Sequence, residues 1–205
     1  MPDALLIFAK NAVYGEVKTR LAADIGKQGA LEIYKQLLEY TASVTSQVAV
    51  AKYVFYSSTI GPDDYWSNKF TKKVQAGEDL GERMKNAFRT LRDEGYTKLV
   101  IIGTDCFEVT TEIINNAFRL LENNDIVIGP ATDGGYYLLG LKKLYDELFM
   151  DIAWSTGRVF EQTLSACDKL GVSVSILPVL TDVDTIHDLT ATQRTTDSTN
   201  ASKTS

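Results

Sequence analysis

A three-layer α/β sandwich is the fold this sequence predicts, on three observations. Apolar runs without alternation recur at residues 4–9, 99–102 and 126–128, the pattern of strands buried on both faces of a parallel sheet. Segments with apolar residues at helical spacing separate them. The loops that follow the strands carry cations early in the chain and aspartates later, at the edge where open α/β sheets bind ligands.

With 205 residues, 44% of them hydrophobic and 23% charged, the chain is long enough for one large core, and a second domain is not expected. We expect a single domain over residues 1–189. Residues 190–205 are Thr, Ser, Asn and Lys with few apolar positions, a tail expected to be disordered. The formal charge of −6 argues against nucleic acid or an anionic membrane as partner, since both select a basic face. Cys106 and Cys167 lack metal spacing, there is no signal-like segment, and no apolar run reaches membrane-spanning length. A reduced, cytoplasmic setting is therefore expected, with Cys106 a buried inert thiol.

In chain order, residues 4–9 form the first strand, and a polar loop follows from Lys10 to Leu21. This loop holds Gly15 and the cations Lys10, Lys18 and Arg20 where a βα turn meets phosphates; Arg20 suits a bidentate fork and Lys18 a point charge. It matches neither a Walker loop nor a dinucleotide fingerprint. Ala30, Ile33, Tyr34, Leu37, Leu38, Thr41 and Val44 predict a structural helix over 28–46. A second strand is expected at 53–56 and a turn at 61–64, followed by the aromatic residues Tyr65, Trp66 and Phe70. A short strand at 73–75 leads to a helix whose face runs through Leu80, Met84, Ala87, Phe88 and Leu91. Gly77, Asp79 and Leu80 stand at its mouth, where free amides favour an acceptor or anion and where Asp79 also suits a cap.

The central strand, 98–102, ends in Gly103-Thr104-Asp105. A carboxylate there lies at the ligand edge and suits a metal ion, because Thr110, Thr111 and Glu112 already supply the cap and acidic turn of the next helix. Another inner strand, 125–130, is followed by Asp133-Gly134-Gly135, which reads either as a hairpin turn or as a second acid on the same edge. A short helix is expected over 142–149, and a longer one opening at Trp154-Ser155-Thr156-Gly157 with Ser155 or Thr156 as its cap. Residues 172–177 alternate as an edge strand does. Beyond them Asp182, Asp184 and Asp188 fall within seven residues, a density of oxygen ligands that hard cations use, with Asp188 assigned to helix solvent and His187 to the surface.

Taken together, the stretches 8–22, 77–84, 102–106, 129–140, 154–156 and 182–185 resemble, in order, the bacterial glycosyltransferase-A-like family of radical-SAM/selenodomain-associated transferases. The resemblance spans residues 4–189. It implies the nucleotide-diphospho-sugar transferase fold, a mixed, mostly parallel sheet with a Rossmann-like N-terminal half, and kinship with phospholactate guanylyltransferases. It implies that Asp105 holds a divalent metal, Mg2+ or Mn2+, with Asp184 completing the site. It further implies that the first loop (Lys10, Gly15, Lys18, Arg20) touches base and phosphates. Where members of that family have proline after Thr-Asp-Cys, this chain has Phe107; the Leu-Ala-Gly-Gly opening of sugar nucleotidyltransferases is also absent.

The sequence thus predicts a metal-dependent glycosyltransferase with a nucleoside-diphosphate sugar donor and a small-molecule acceptor. Asp133 would be the catalytic acid/base residue, with Gly134 and Gly135 permitting close approach. Nucleotidyl transfer to a phosphorylated small molecule and a non-catalytic nucleotide-binding domain are the alternatives.

Overall fold

The computed structural model describes residues 2–61 and 65–192; the expected turn at 61–64 and the tail beyond 192 lie largely outside them. Seven strands, β1 (Asp3–Ala9), β2 (Ala51–Tyr56), β3 (Phe70–Val74), β4 (Lys98–Ile102), β5 (Ile126–Pro130), β6 (Tyr136–Leu141) and β7 (Val174–Ile176), form one sheet in the order β3-β2-β1-β4-β6-β5-β7. β6 pairs antiparallel with β4 and β5, and the remaining pairs are parallel. The carboxyl ends of β1 to β5 and β7, together with the start of β6, therefore share one edge of the sheet. Every loop the sequence marks as functional leaves from that edge.

The apolar runs are buried on both faces, as their lack of alternation requires. Leu5, Ile7, Val100 and Ile102 pack beneath helices α1 (Thr19–Ser46) and α3 (Thr111–Leu120), against Tyr34, Leu37, Ile114 and Phe118. Leu6, Leu99, Ile101 and Leu139 point the other way, onto Phe88 and Leu91 of α2 (Leu80–Asp93) and Cys167 of α4 (Val159–Leu170). Trp66 and Phe70 are core residues whose rings pack 5.2 Å apart.

Several boundaries differ from the sequence reading, each for a local reason. Helix α1 begins at Thr19, so the end of the expected loop is helical; it breaks at Gly26 (φ 76, ψ 161), which is why the apolar pattern shows only beyond that point. The expected helix over 142–149 is a single 3-10 turn, Asp146–Phe149. Neither Ser155 nor Thr156 caps α4, which starts after Arg158 without a side-chain cap; the Thr156 hydroxyl donates instead to the Ala153 carbonyl at 2.7 Å. Thr110 caps α3 as expected, accepting from the Ile113 amide at 3.3 Å. Residues 186–192 are helical, with Leu189 and Thr192 buried, so the polar segment does not leave the fold at 190. No helix among the described residues is long and apolar enough to cross a membrane.

Phe88 is fully buried on the α2 side of the sheet. Truncation to alanine removes a ring that the surrounding strands cannot replace, and Phe88→Ala should lower the unfolding free energy by about 3–5 kcal/mol, read from urea denaturation at unchanged slope.

Candidate active site

The loop after β1 ends at Lys18, a residue in the left-handed region (φ 48, ψ 48) immediately before α1. That backbone turn sends the side chain under the sheet edge, where Nζ lies 2.5 Å from Asp105 Oδ1 and 3.1 Å from Asp184 Oδ1. The Lys18 side chain is 4% exposed, whereas the two carboxylates are 40% and 43% exposed. Burial alone would depress the lysine pKa, but the two carboxylates outweigh it and hold the ammonium above its usual value.

Backbone bonds bring these groups together. The Val183 amide donates to the Asp105 carbonyl at 2.8 Å and the Thr181 amide to Glu108 Oε2 at 2.8 Å, stitching the segment after β7 onto the turn after β4. Val183 is fully buried, which leaves the flanking Asp182 and Asp184 at the cleft. Thr185 and Asp188 close a reciprocal capping box: Asp188 Oδ2 accepts from the Thr185 amide (2.8 Å), and Thr185 Oγ1 accepts from the Asp188 amide (3.3 Å). Asp188 Oδ2 also accepts from the Asp184 amide at 3.2 Å. Asp188 is therefore a structural cap rather than a solvent-facing residue; burial would raise its pKa, but these hydrogen bonds outweigh that and lower it.

Asp182 is the group that the sequence reading left out of the site. Burial, followed by the charges of Asp105 and Asp133, pushes its carboxyl up to about 7. Asp105 and Asp133 thus both lie within electrostatic reach of Asp182. The Asp133 side chain is exposed, and its Oδ1 accepts from the Gly135 amide at 2.8 Å, the bond that the turn reading of this loop calls for. Gly134 (φ 86) has no side chain because a Cβ would stand 2.2 Å from the Gly157 carbonyl oxygen; its role is packing against the strand-to-helix segment, reinforced by the Phe160 amide donating to its carbonyl at 2.9 Å.

Tyr34, a core residue of α1, also organises the same edge. Its hydroxyl accepts from the Lys10 amide (2.9 Å), donates to the Lys10 carbonyl (3.0 Å) and lies 3.3 Å from Thr104 Oγ1, tying the loop after β1 to the residue before Asp105. Nothing in a helical apolar position announces that role. Lys10 and Arg20 are exposed, and Gly15 turns at φ 77. Asn11 pins this loop to the one after β2 through Ser57, Ser58 and Thr59. Gly77, Asp79 and Leu80 lie after β3, two strands from β1. Asp79 caps α2, accepting from the Glu82 amide at 2.8 Å, and a Cβ on Gly77 would stand 2.8 Å from the Arg83 amide nitrogen. Trp154 packs its indole on Gly81, where no side chain fits. Phe107 meets Tyr40 edge-on at 5.6 Å. Cys106 is buried, as expected, and that burial pushes its thiol up to about 12.

A family model described as uncharacterized protein conserved in bacteria (DUF2064) matches residues 40–156, more than half of the chain. The chain belongs to this family. No curated protein matches it in sequence. Among solved structures, this DUF2064 chain is similar to a protein of Desulfovibrio desulfuricans G20 provisionally named a nucleotide-diphospho-sugar transferase, with 30% identity, TM-score 0.87, and 92% of this chain and 85% of that one covered. It shares its fold with 4-diphosphocytidyl-2C-methyl-D-erythritol synthase of Anaerococcus prevotii DSM 20548 (11% identity, TM-score 0.58, covering 95% and 96%). The same holds for Rv0371c of Mycobacterium tuberculosis H37Rv in complex with manganese (14% identity, TM-score 0.56, covering 94% and 98%). The DUF2064 chain thus has the nucleotide-diphospho-sugar transferase fold expected from its motifs.

The state of Asp182 sets a pH dependence with a definite sign. Its folded pKa of about 7 lies above the ordinary 3.8, so between these values the native protein holds a proton that the unfolded chain has released. Stability from this group is present below pH 4 and is lost as pH rises towards 7, with a slope of at most about 1.4 kcal/mol per pH unit for one proton. Urea unfolding of the wild type and Asp182→Asn in chelator should show the variant gaining on the wild type across that window; parallel curves would remove Asp182 as the cause.

Proposed function

We propose that this protein is a metal-dependent transferase of the glycosyltransferase-A-like, radical-SAM/selenodomain-associated type, moving a sugar from a nucleoside-diphosphate donor to a hydroxyl of a small molecule. One observation carries the reading: Asp105 and Asp184, 79 residues apart in sequence, aim their Oδ1 atoms at one cationic centre on the ligand edge of the sheet. Two converging carboxylates fit Mg2+ or Mn2+, which complete their shell with phosphate oxygens and water. The manganese complex of the fold relative Rv0371c supports the same choice of ion, and the name of the Desulfovibrio relative supports the donor class.

Asp105 and Asp184 would hold the cation, which when bound relieves the charge growing on the leaving diphosphate. Exposed Lys10 and Arg20 supply positive charge to the donor phosphates, and Gly15 shapes their loop. Gly77, Asp79 and Leu80, at the head of α2, border the nucleotide side. Asp133, oriented by the Gly135 amide, accepts the proton of the acceptor hydroxyl, and the adjoining Gly135 adds no side chain to that wall.

Nucleotidyl transfer from a nucleoside triphosphate is the second reading, because a leaving pyrophosphate requires the same charge relief at the same centre. Thermal-shift and calorimetric screening with Mg2+ separates the two. UDP- or GDP-sugars should stabilise the protein; selection of GTP or CTP would replace the first reading with the second, and silence towards all of them would overturn both. Turnover tests on the selected donor dispose of a third possibility, binding without chemistry. Asp105→Asn should weaken metal-dependent nucleotide affinity at least about tenfold, or about 1.4 kcal/mol, and by far more than it lowers the unfolding free energy in urea. Equal loss of both would make Asp105 structural.

A further inference from the structure

Lys18 occupies the point at which the two carboxylates converge. Its Nζ is within hydrogen-bond reach of the same Oδ1 atoms that would hold a divalent ion. The ammonium is enclosed while the carboxylates remain open to solvent, so the acids keep a free approach although their shared centre is filled from the protein side. Without Lys18, Asp105 and Asp184 would face each other uncompensated, a strongly unfavourable arrangement when charges share a partly buried site.

Two oxygens cannot serve an ammonium and a dication at once, because the two cations would repel at contact distance. We propose that Lys18 is an internal counter-ion that exchanges with the divalent ion. It holds the acidic pair together in the free protein, and it leaves that pair only when an anionic partner, the donor's phosphates, is present to receive it. Lys18 stands directly before the first turn of α1, in a loop rather than in a strand, so its exchange requires no change in the sheet. Bare metal is therefore bound weakly, nucleotide alone is bound weakly, and the two bind with strong mutual enhancement. This rests on the metal reading given above, and the test is arranged so that each can fail separately.

Mn2+ binding is measured by electron paramagnetic resonance and calorimetry on wild type, Lys18→Met and Asp105→Asn, without nucleotide and with the donor chosen by screening. Lys18→Met should bind bare Mn2+ at least about tenfold more tightly than wild type, its thermal midpoint should fall below wild type in chelator and recover in Mn2+, and the enhancement of Mn2+ affinity by nucleotide should largely disappear. Asp105→Asn should bind Mn2+ poorly in every condition. Equal or weaker binding of bare Mn2+ by Lys18→Met, with Mn2+ still bound by wild type plus nucleotide, would overturn the exchange and leave the metal site standing. No Mn2+ binding by any protein in any condition would overturn both. If Lys18→Met does not fold in chelator, recovery of its circular dichroism by Mn2+ but not by Na+ supports the exchange, and failure to recover counts against it, with Lys18→Gln as the check.

Discussion

The electrostatic convergence of Lys18 with Asp105 and Asp184 is the constraint on which the rest of this architecture depends. Three charged groups from the beginning, middle and end of the described chain meet at one point of a protein whose net charge is negative. Two carboxylates placed that close would repel without a cation between them. The fold supplies one from the turn before its longest helix, which makes the placement of that turn as consequential as that of the acids themselves.

Hydrogen bonds donated by backbone amides support that convergence. The Val183 amide on the Asp105 carbonyl, the Thr181 amide on Glu108 and the Thr185–Asp188 capping box hold the last segment against the turn after β4, so Asp184 is presented by a rigid support. On the opposite side Tyr34 fastens the loop after β1 to Thr104. Such supports matter because a carboxylate misplaced by about 1 Å loses much of its value in a catalytic site.

A second set of contacts is steric. Trp154 lies on Gly81, and the Gly134 backbone lies on that of Gly157, so the segment between β6 and α4 is packed against both the head of α2 and the loop of Asp133. The glycines there are spaces for neighbouring protein atoms, a different use from the open approach to substrate that their position in loops suggests. Phe107, in the place where resembling sequences carry proline, is accommodated by an edge contact with Tyr40.

The sequence by itself determined the layered α/β class, the buried inner strands at 4–9 and 98–102, the cap of α3 and the position of Asp105 at the end of a central strand. Strand burial, helical spacing and caps are written in neighbouring residues, and short-range patterns report them directly. The strand order, the reversal of β6 and the meeting of Lys18, Asp105, Asp182 and Asp184 were decided only in the tertiary structure. They depend on contacts between residues far apart in the chain, where neither spacing nor residue type says which acid faces which base. Tyr34 looks like any apolar helical position, and Asp182 like one of several aspartates, until folding surrounds the first with backbone and the second with like charge.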